Sequence, residues 1–302
     1  MKRLMFVLGL SFVVTLGSGR AESSIAPTVT AKAVAPTLDR ARLTAWISEA
    51  KARSPRTFDA LARVRARVPE LDAKKRGPIA PLASSLSNLG PDSFAALAER
   101  IVDEDKGLTG SARRAWRVGL VEAIGTLRDP RVREVVAPLL DDEDDLVVRV
   151  AAAAIGKVSD DASAALLISH LSREAVVAGA GTCRRRGMAN ALAAVVSRRA
   201  SLSSVKAAVH ALGDLGAAWA WNTKTLVAPG EEGDIRSIAA AALVDAYVGF
   251  DGEIRQAASN ALMVVDEPGT PARIASARSG ASSDTLAALD RLAVRFARNP
   301  AR

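Results

Sequence analysis

Counted from Val147 as position one, the apolar residues Val147, Val150, Ala151, Ala154, Ile155 and Val158 fall at positions one, four, five, eight, nine and twelve. This spacing tracks the 3.6-residue turn and puts all six on one face of a helix. The same template fits Trp116, Gly119, Leu120, Ala123, Ile124 and Leu127. It fits again at Ile235, Ile238, Ala239, Ala242, Leu243 and Ala246, and at Ile254, Ala257, Ala258, Ala261, Leu262 and Val265. Fainter copies start at Arg184 (Met188, Ala191, Leu192, Val195) and at Ser204 (Ala207, Ala208, Ala211, Leu212, Leu215).

Three further marks distinguish these windows from any amphipathic helix. Arginine recurs at position two as Arg117, Arg185, Arg236 and Arg255, alanine fills position eight throughout, and glycine follows position nine as Gly125, Gly156 and Gly213. A small residue at position eight lets neighbouring helices approach closely. The first two windows are each followed by a start signal and a second apolar run. Asp129-Pro130 leads into Val132, Val135, Val136, Leu139 and Leu140, and Asp160-Asp161 into Leu166, Leu167, Ile168 and Leu171. Each unit reads as a helical hairpin, and the first two begin 31 residues apart. Later starts fall 37, 20, 31 and 19 residues apart, so both helices of one hairpin are expected to carry the stripe there.

Ile254-Arg255-Gln256-Ala257-Ala258-Ser259-Asn260-Ala261-Leu262 and Ala154-Ile155-Gly156-Lys157-Val158-Ser159-Asp160 resemble the two halves of the HEAT-like repeat found in phycobilin-lyase-type proteins. The resemblance runs over roughly residues 112 to 270 and implies a fold: an all-α solenoid of stacked antiparallel hairpins, a HEAT-like superhelix. It also raises a bilin-lyase-type enzyme or accessory role. The helical-repeat hydroxylases use His-Glu pairs for iron, and neither His170 nor His210 is followed by Glu.

Around this repeat region, 111–281, the chain divides further. Residues 38–110 carry candidate faces (Leu43, Trp46, Ile47; Phe58, Leu61, Val64, Val68; Phe94, Leu97, Ile101, Val102) without the Arg and Gly marks, and read as a helical cap or diverged repeats. Residues 282–302 read as a capping helix using Leu286, Leu289, Leu292 and Phe296, with Arg291, Arg295 and Arg298 turned outward. Residues 1–21 read as a signal peptide, with Lys2 and Arg3 before an apolar run too short to span a bilayer and small residues at Gly19 and Ala21. Residues 22–37 read as a flexible linker. An exported protein follows, periplasmic or extracellular, with no transmembrane span after cleavage.

Composition narrows the picture. Hydrophobic residues make up 49% and charged residues 25%, which suits a buried core, while 4% aromatics disfavour a β-sandwich. Loss of Lys2, Arg3 and Arg20 with the signal lowers the formal charge from +8 to +5, a weak excess. Cys183 is the sole cysteine, so no intrachain disulfide is available.

Candidate chemistry is sparse. The run Asp141 to Asp145 fails the calcium-loop pattern and reads as helix capping. The position-two arginines are expected to pair with turn acids such as Asp214, Asp234 and Asp251, forming a ladder. Cys183 precedes Arg184, Arg185 and Arg186, which would activate a thiol, yet no orienting base stands in a motif, so a packed thiol is the simpler reading. The glycines at 179 and 181 form no phosphate loop.

The best local lead is Trp219-Ala220-Trp221-Asn222-Thr223-Lys224, expected on a loop. Its alternatives are a binding patch and a plug for an irregular repeat. Trp219, Trp221 and Lys224, with Arg184, Arg185 and Arg186, are therefore the candidate partner-binding residues. No catalytic residue, cofactor or metal site is assigned. The expected function is a noncatalytic scaffold binding a protein. Anionic-polymer binding through Arg113, Arg114, Arg117, Arg131, Arg133 and Arg184 to Arg186 is an alternative, and no specific nucleic acid is expected.

Overall fold

Side-chain caps mark four of the helix starts. Asp144 and Asp160 lie in extended backbone and accept hydrogen bonds from the amides of Leu146 and Ser163, at 2.9 and 2.7 Å, satisfying donors that a helix N-terminus leaves open. Ser201 and Ser282 do the same for two later helices. The computed structural model describes residues 40–103, 105, 107–199, 201–221 and 230–299, all within the unit Ala33–Arg302. The signal and linker segments lie outside the described residues.

In chain order the helices are α1 (Arg40–Arg53), α2 (Pro55–Ala66), α3 (Val68–Ala73), α4 (Ala83–Ser87), α5 (Phe94–Val102) and α6 (Gly110–Thr126). They continue as α7 (Val132–Val136), α8 (Asp145–Val158), α9 (Asp161–Ser169), α10 (Glu174–Gly179), α11 (Arg186–Arg198) and α12 (Leu202–Gly216). The last are α13 (Ala218–Trp221), α14 (Glu232–Gly249), α15 (Gly252–Val265), α16 (Thr270–Ser276) and α17 (Ser283–Ala297). Among the described residues there is no strand. No helix there is long and apolar enough to cross a membrane.

The helices stack in two rows. In the first, α4, α6, α8, α10, α12 and α15 touch in succession. In the second, α5 packs on α7, α9 on α11, α11 on α14 and α14 on α16. One continuous apolar core runs between the rows. Rows meet through tight turns: α8 and α9 are separated only by Ser159 and Asp160, and Ser159 takes the left-handed φ of +56° that reverses the chain. The fold is an all-α HEAT-like solenoid.

First-row helices approach through glycine. A Cβ placed on Gly125 would sit 2.7 Å from both Cα and Cβ of Ala154, one on Gly181 2.9 Å from Ala211 Cα, and one on Gly213 3.0 Å from Ala261 Cβ. The small residue at position eight is thus half of a pair whose other half comes from the preceding first-row element. Gly213 meets Ala261 and Gly216 meets Val265, so α12 and α15 run parallel.

Two elements differ from the sequence reading. The helix after Asp129-Pro130 is regular only over α7, then tightens into a 3-10 segment at Ala137–Asp141, because Pro138 offers no amide to the helical ladder. Between α9 and α11 lies α10, followed by a 3-10 turn at Ala180–Thr182, which the stripe did not reveal. It is a shortened first-row member wedged between α8 and α12, and Gly179 and Gly181 make it fit: a Cβ on Gly179 would lie 2.3 Å from the Arg149 carbonyl oxygen. The irregular spacings follow from this arrangement. The windows at Arg184 and Ile235 form α11 and α14 of the second row, whereas those at Trp116, Val147, Ser204 and Ile254 belong to the first.

Candidate functional site

Trp219 and Trp221 stand on the one-turn helix α13, not on a loop. Residues two apart on a helix point to different sides, and the two indoles separate accordingly. Trp219 is 71% exposed, while Trp221 is half-buried against the core. The Arg184 guanidinium lies 5.9 Å from the Trp221 ring centroid, a cation–π arrangement that joins the end of the α10 turn to α13. Arg184 also donates to the Asp214 carbonyl at 3.5 Å, while its Nε is buried without a partner. Burial lowers its pKa, and neighbouring Arg128 adds to the effect.

Arg185 and Arg186 face away from this contact. Arg185 bridges Asp161 at 2.6 Å and Glu231 at 3.3 Å, and Arg186 pairs with Asp234 at 3.2 Å while its amide donates to Glu231. The structure therefore brings together Arg184 and Trp221, leaves Trp219 beside them in solvent, and assigns Arg185 and Arg186 to holding the start of α14. Lys224 lies outside the described residues.

The position-two arginines are paired with acids, and one of the three expected partners, Asp251, is among them. Arg117 pairs with Asp142, Arg236 with Glu232 at 3.1 Å, and Arg255 with Asp251 at 2.7 Å. Of the three acids named from sequence, Asp251 takes this role, Asp234 goes to Arg186, and Asp214 contacts Arg184 through its backbone. Arg236 also donates to the Val265 and Asp266 carbonyls, closing the end of α15.

The arginines considered for polymer binding are largely neutralised. Arg114 pairs with Asp144 at 2.6 Å, Arg131 with Asp129 at 2.6 Å, and Arg133 with Asp160 at 2.7 Å. Arg131 additionally lies over the Trp46 and Phe94 rings at 4.7 and 4.5 Å, tying α1 and α5 to the turn before α7. At the other end, Arg295 is not simply turned outward, since it donates to Ser259 at 2.6 Å and Asn260 at 2.8 Å on α15.

The acidic run caps and braces. Asp144 starts α8, Asp142 accepts from the Asp144 amide at 2.9 Å, and Asp145 pairs with Arg173 at 2.8 Å. Burial pushes the Asp142 carboxyl up, but the Arg117 guanidinium and the Asp144 amide outweigh it and hold the acid below its usual range. Among the described residues no group of three or more His, Cys, Asp and Glu side chains is placed to hold a metal ion. Cys183 is a buried free thiol, and burial pushes its pKa up to about 12, opposite to activation by the adjacent arginines. His170 is occupied locally, its Nδ1 lying 2.9 Å from the Leu166 carbonyl.

Sequence reasoning also passed over a pocket of about 100 Å³ where α5, α6 and the segment after α7 meet, lined by Trp116 and Leu139 among others. Its signal was the orphaned polarity of Trp116 on an otherwise apolar face, which a hydrophobic template scores only as core.

Residues 106–182, from before α6 through the α10 turn, match the family model for HEAT repeats. The two-row stack extends that packing beyond the matched stretch, and the architecture is that of an all-α HEAT-like solenoid. Among curated proteins none matches the chain.

Proposed function

We propose that this protein is an exported, noncatalytic scaffold that binds a protein partner at the edge carrying α13. The observation that carries the reading is Trp219: of the large apolar side chains described, it is the most exposed, on a stack whose other aromatics are mostly covered. An indole in solvent is costly to leave bare and strongly favourable to cover on association. The Arg184–Trp221 contact beneath it limits movement of its support, which lowers the ordering cost of binding. The basic, apolar and small-residue order of residues 1–21 supports export.

Crosslinking of the full chain in the exported fraction tests both parts. The expected result is one dominant protein captured by wild type and lost with Trp219→Ala, and a mature chain beginning near Glu22. Retention of the uncleaved protein in the cytoplasm overturns the export reading, and capture unaffected by Trp219→Ala overturns the α13 edge.

A further inference from the structure

The outer face of α17 carries positive charge that the fold leaves unmatched. Arg291, Arg295 and Arg298 recur at the four- and three-residue steps that keep side chains on one side of a helix, and with Met263 and Val294 they line a basin of about 690 Å³ against α15. Arg291 and Arg298 are exposed, and neither has a carboxylate partner among the described residues. Arg295 is held by neutral acceptors alone, Ser259 Oγ and Asn260 Oδ1, so its charge is oriented but not cancelled. The single carboxylate of the lining, Asp290, is engaged by Arg278, which is not part of the basin. By contrast, Arg114, Arg117 and Arg133 each meet an aspartate. The helix dipole favours cations in a last turn, which accounts in part for Arg295 and Arg298 but not for Arg291, more than a turn from the end.

The three guanidiniums spread over about 10 Å of helix axis, at about 1.5 Å per residue. In an extended chain, at about 3.3 Å per residue, carboxylates three residues apart cover that distance. Val294, 52% exposed, stands between the guanidiniums and with Met263 gives the basin an apolar part. An occupant must therefore bring negative charge and an apolar side chain together. An anionic bilayer does not meet this need, since an interfacial helix uses a wide apolar face and Leu289, Leu292 and Phe296 of α17 are all in the core. Single-stranded nucleic acid stacks its bases on aromatic rings, and none lines the basin.

We infer that this face of α17 docks an acidic segment of a protein partner, its carboxylates on Arg291, Arg295 and Arg298 and an apolar side chain over Val294 and Met263. The inference rests on the scaffold reading and deepens it, since it names the partner's chemistry at a second point of contact.

Fluorescence anisotropy with the full chain tests it, using the peptide Gly-Ser-Glu-Asp-Leu-Glu-Asp-Ser-Gly, labelled at its N-terminus and amidated at its C-terminus, and the counterpart with Gln and Asn in place of the acids. The acidic peptide binds saturably and the neutral one at least tenfold more weakly. Arg291→Glu, Arg298→Glu and Val294→Asp, all at exposed positions, each weaken the acidic peptide at least tenfold and leave the melting temperature unchanged. Arg149→Glu, exposed on α8, retains full binding and separates this face from general charge. Absence of saturable binding, equal binding of the two peptides, equal loss with Arg149→Glu, or undiminished binding by a folded Arg291→Glu or Arg298→Glu protein overturns the inference. So does tighter binding of an oligothymidylate or of phosphatidylglycerol vesicles with the same arginine dependence. Peptide binding is unaffected by Trp219→Ala, so loss of the peptide and loss of capture at α13 are read separately and either can fail while the other stands.

Discussion

Gly125 of α6 lies against Ala154 of α8 so closely that a single added carbon would fall 2.7 Å from the Ala154 Cα. Alanine in a helix interior ordinarily stabilises by about 1 kcal/mol over glycine. Here the neighbour is backbone and cannot swing aside, so the helices must separate. Gly125→Ala is expected to destabilise by about 1 to 3 kcal/mol. Gly233→Ala, in the exposed first turn of α14 with nothing near its Cβ, is expected to be neutral or stabilising by up to about 1 kcal/mol. Urea denaturation of both variants checks the contrast, and loss of stability in both would refute it.

Leu243, in the middle of α14, has no exposed surface. Leu243→Asp places a carboxylate among apolar neighbours from both rows and is expected to cost several kcal/mol, roughly 3 to 5. The melting curve reports it directly, and an unchanged midpoint would remove Leu243 from the core.

Asp160 serves two helices at once, capping α9 through the Ser163 amide and pairing with Arg133 of α7. Burial pushes its carboxyl up, yet the Ser163 hydroxyl and amide together with Arg133 hold it below the usual carboxylate range. Its contribution is therefore present above the ordinary aspartate pKa of about 3.9 and lost as pH falls through the lower folded value. Asp160→Ala is expected to cost about 0.5 to 2 kcal/mol at pH 7. Asp160→Asn retains the cap, so it should keep much of that stability while flattening the acid limb of the stability curve.

For Cys183 the sign is reversed. Folding keeps the thiol protonated up to about 12, whereas in the unfolded chain it ionises near 8.5. Between those values the unfolded state has released a proton that the native state retains, so stability falls as pH rises through the window. Cys183→Ala is expected to remove that dependence. Native protein should also resist a thiol reagent at pH 8 and react fully in denaturant; rapid native labelling would show the site to be open.

The Trp219 prediction separates binding from folding. With the side chain in solvent, Trp219→Ala should leave the unfolding free energy within about 0.5 kcal/mol of wild type while partner capture is lost. Trp221→Ala, by contrast, empties a half-buried site under Arg184 and should lower stability measurably.

What the sequence determined by itself was local. The stripe at Val147 to Val158, the caps at Asp144 and Asp160, and the last helix starting at Ser283 are set by contacts three or four residues apart and by amides at a helix end. Tertiary structure decided everything that depends on partners far along the chain. Row membership was invisible because α11 and α12 carry the same stripe, and only packing of α11 on α9, against that of α12 on α10 and α15, separates them. The segment α10 was missed because a six-residue helix shows barely two turns of periodicity, and its glycines acquire meaning only where Arg149 and Ala211 approach them. Arginine partners followed proximity across turns, as with Arg117 and Asp142 or Arg185 and Glu231, which residue type alone does not select. The same holds for the two tryptophans: identical chemistry two residues apart became one half-buried plug and one bare surface because the stack covers only one side of α13.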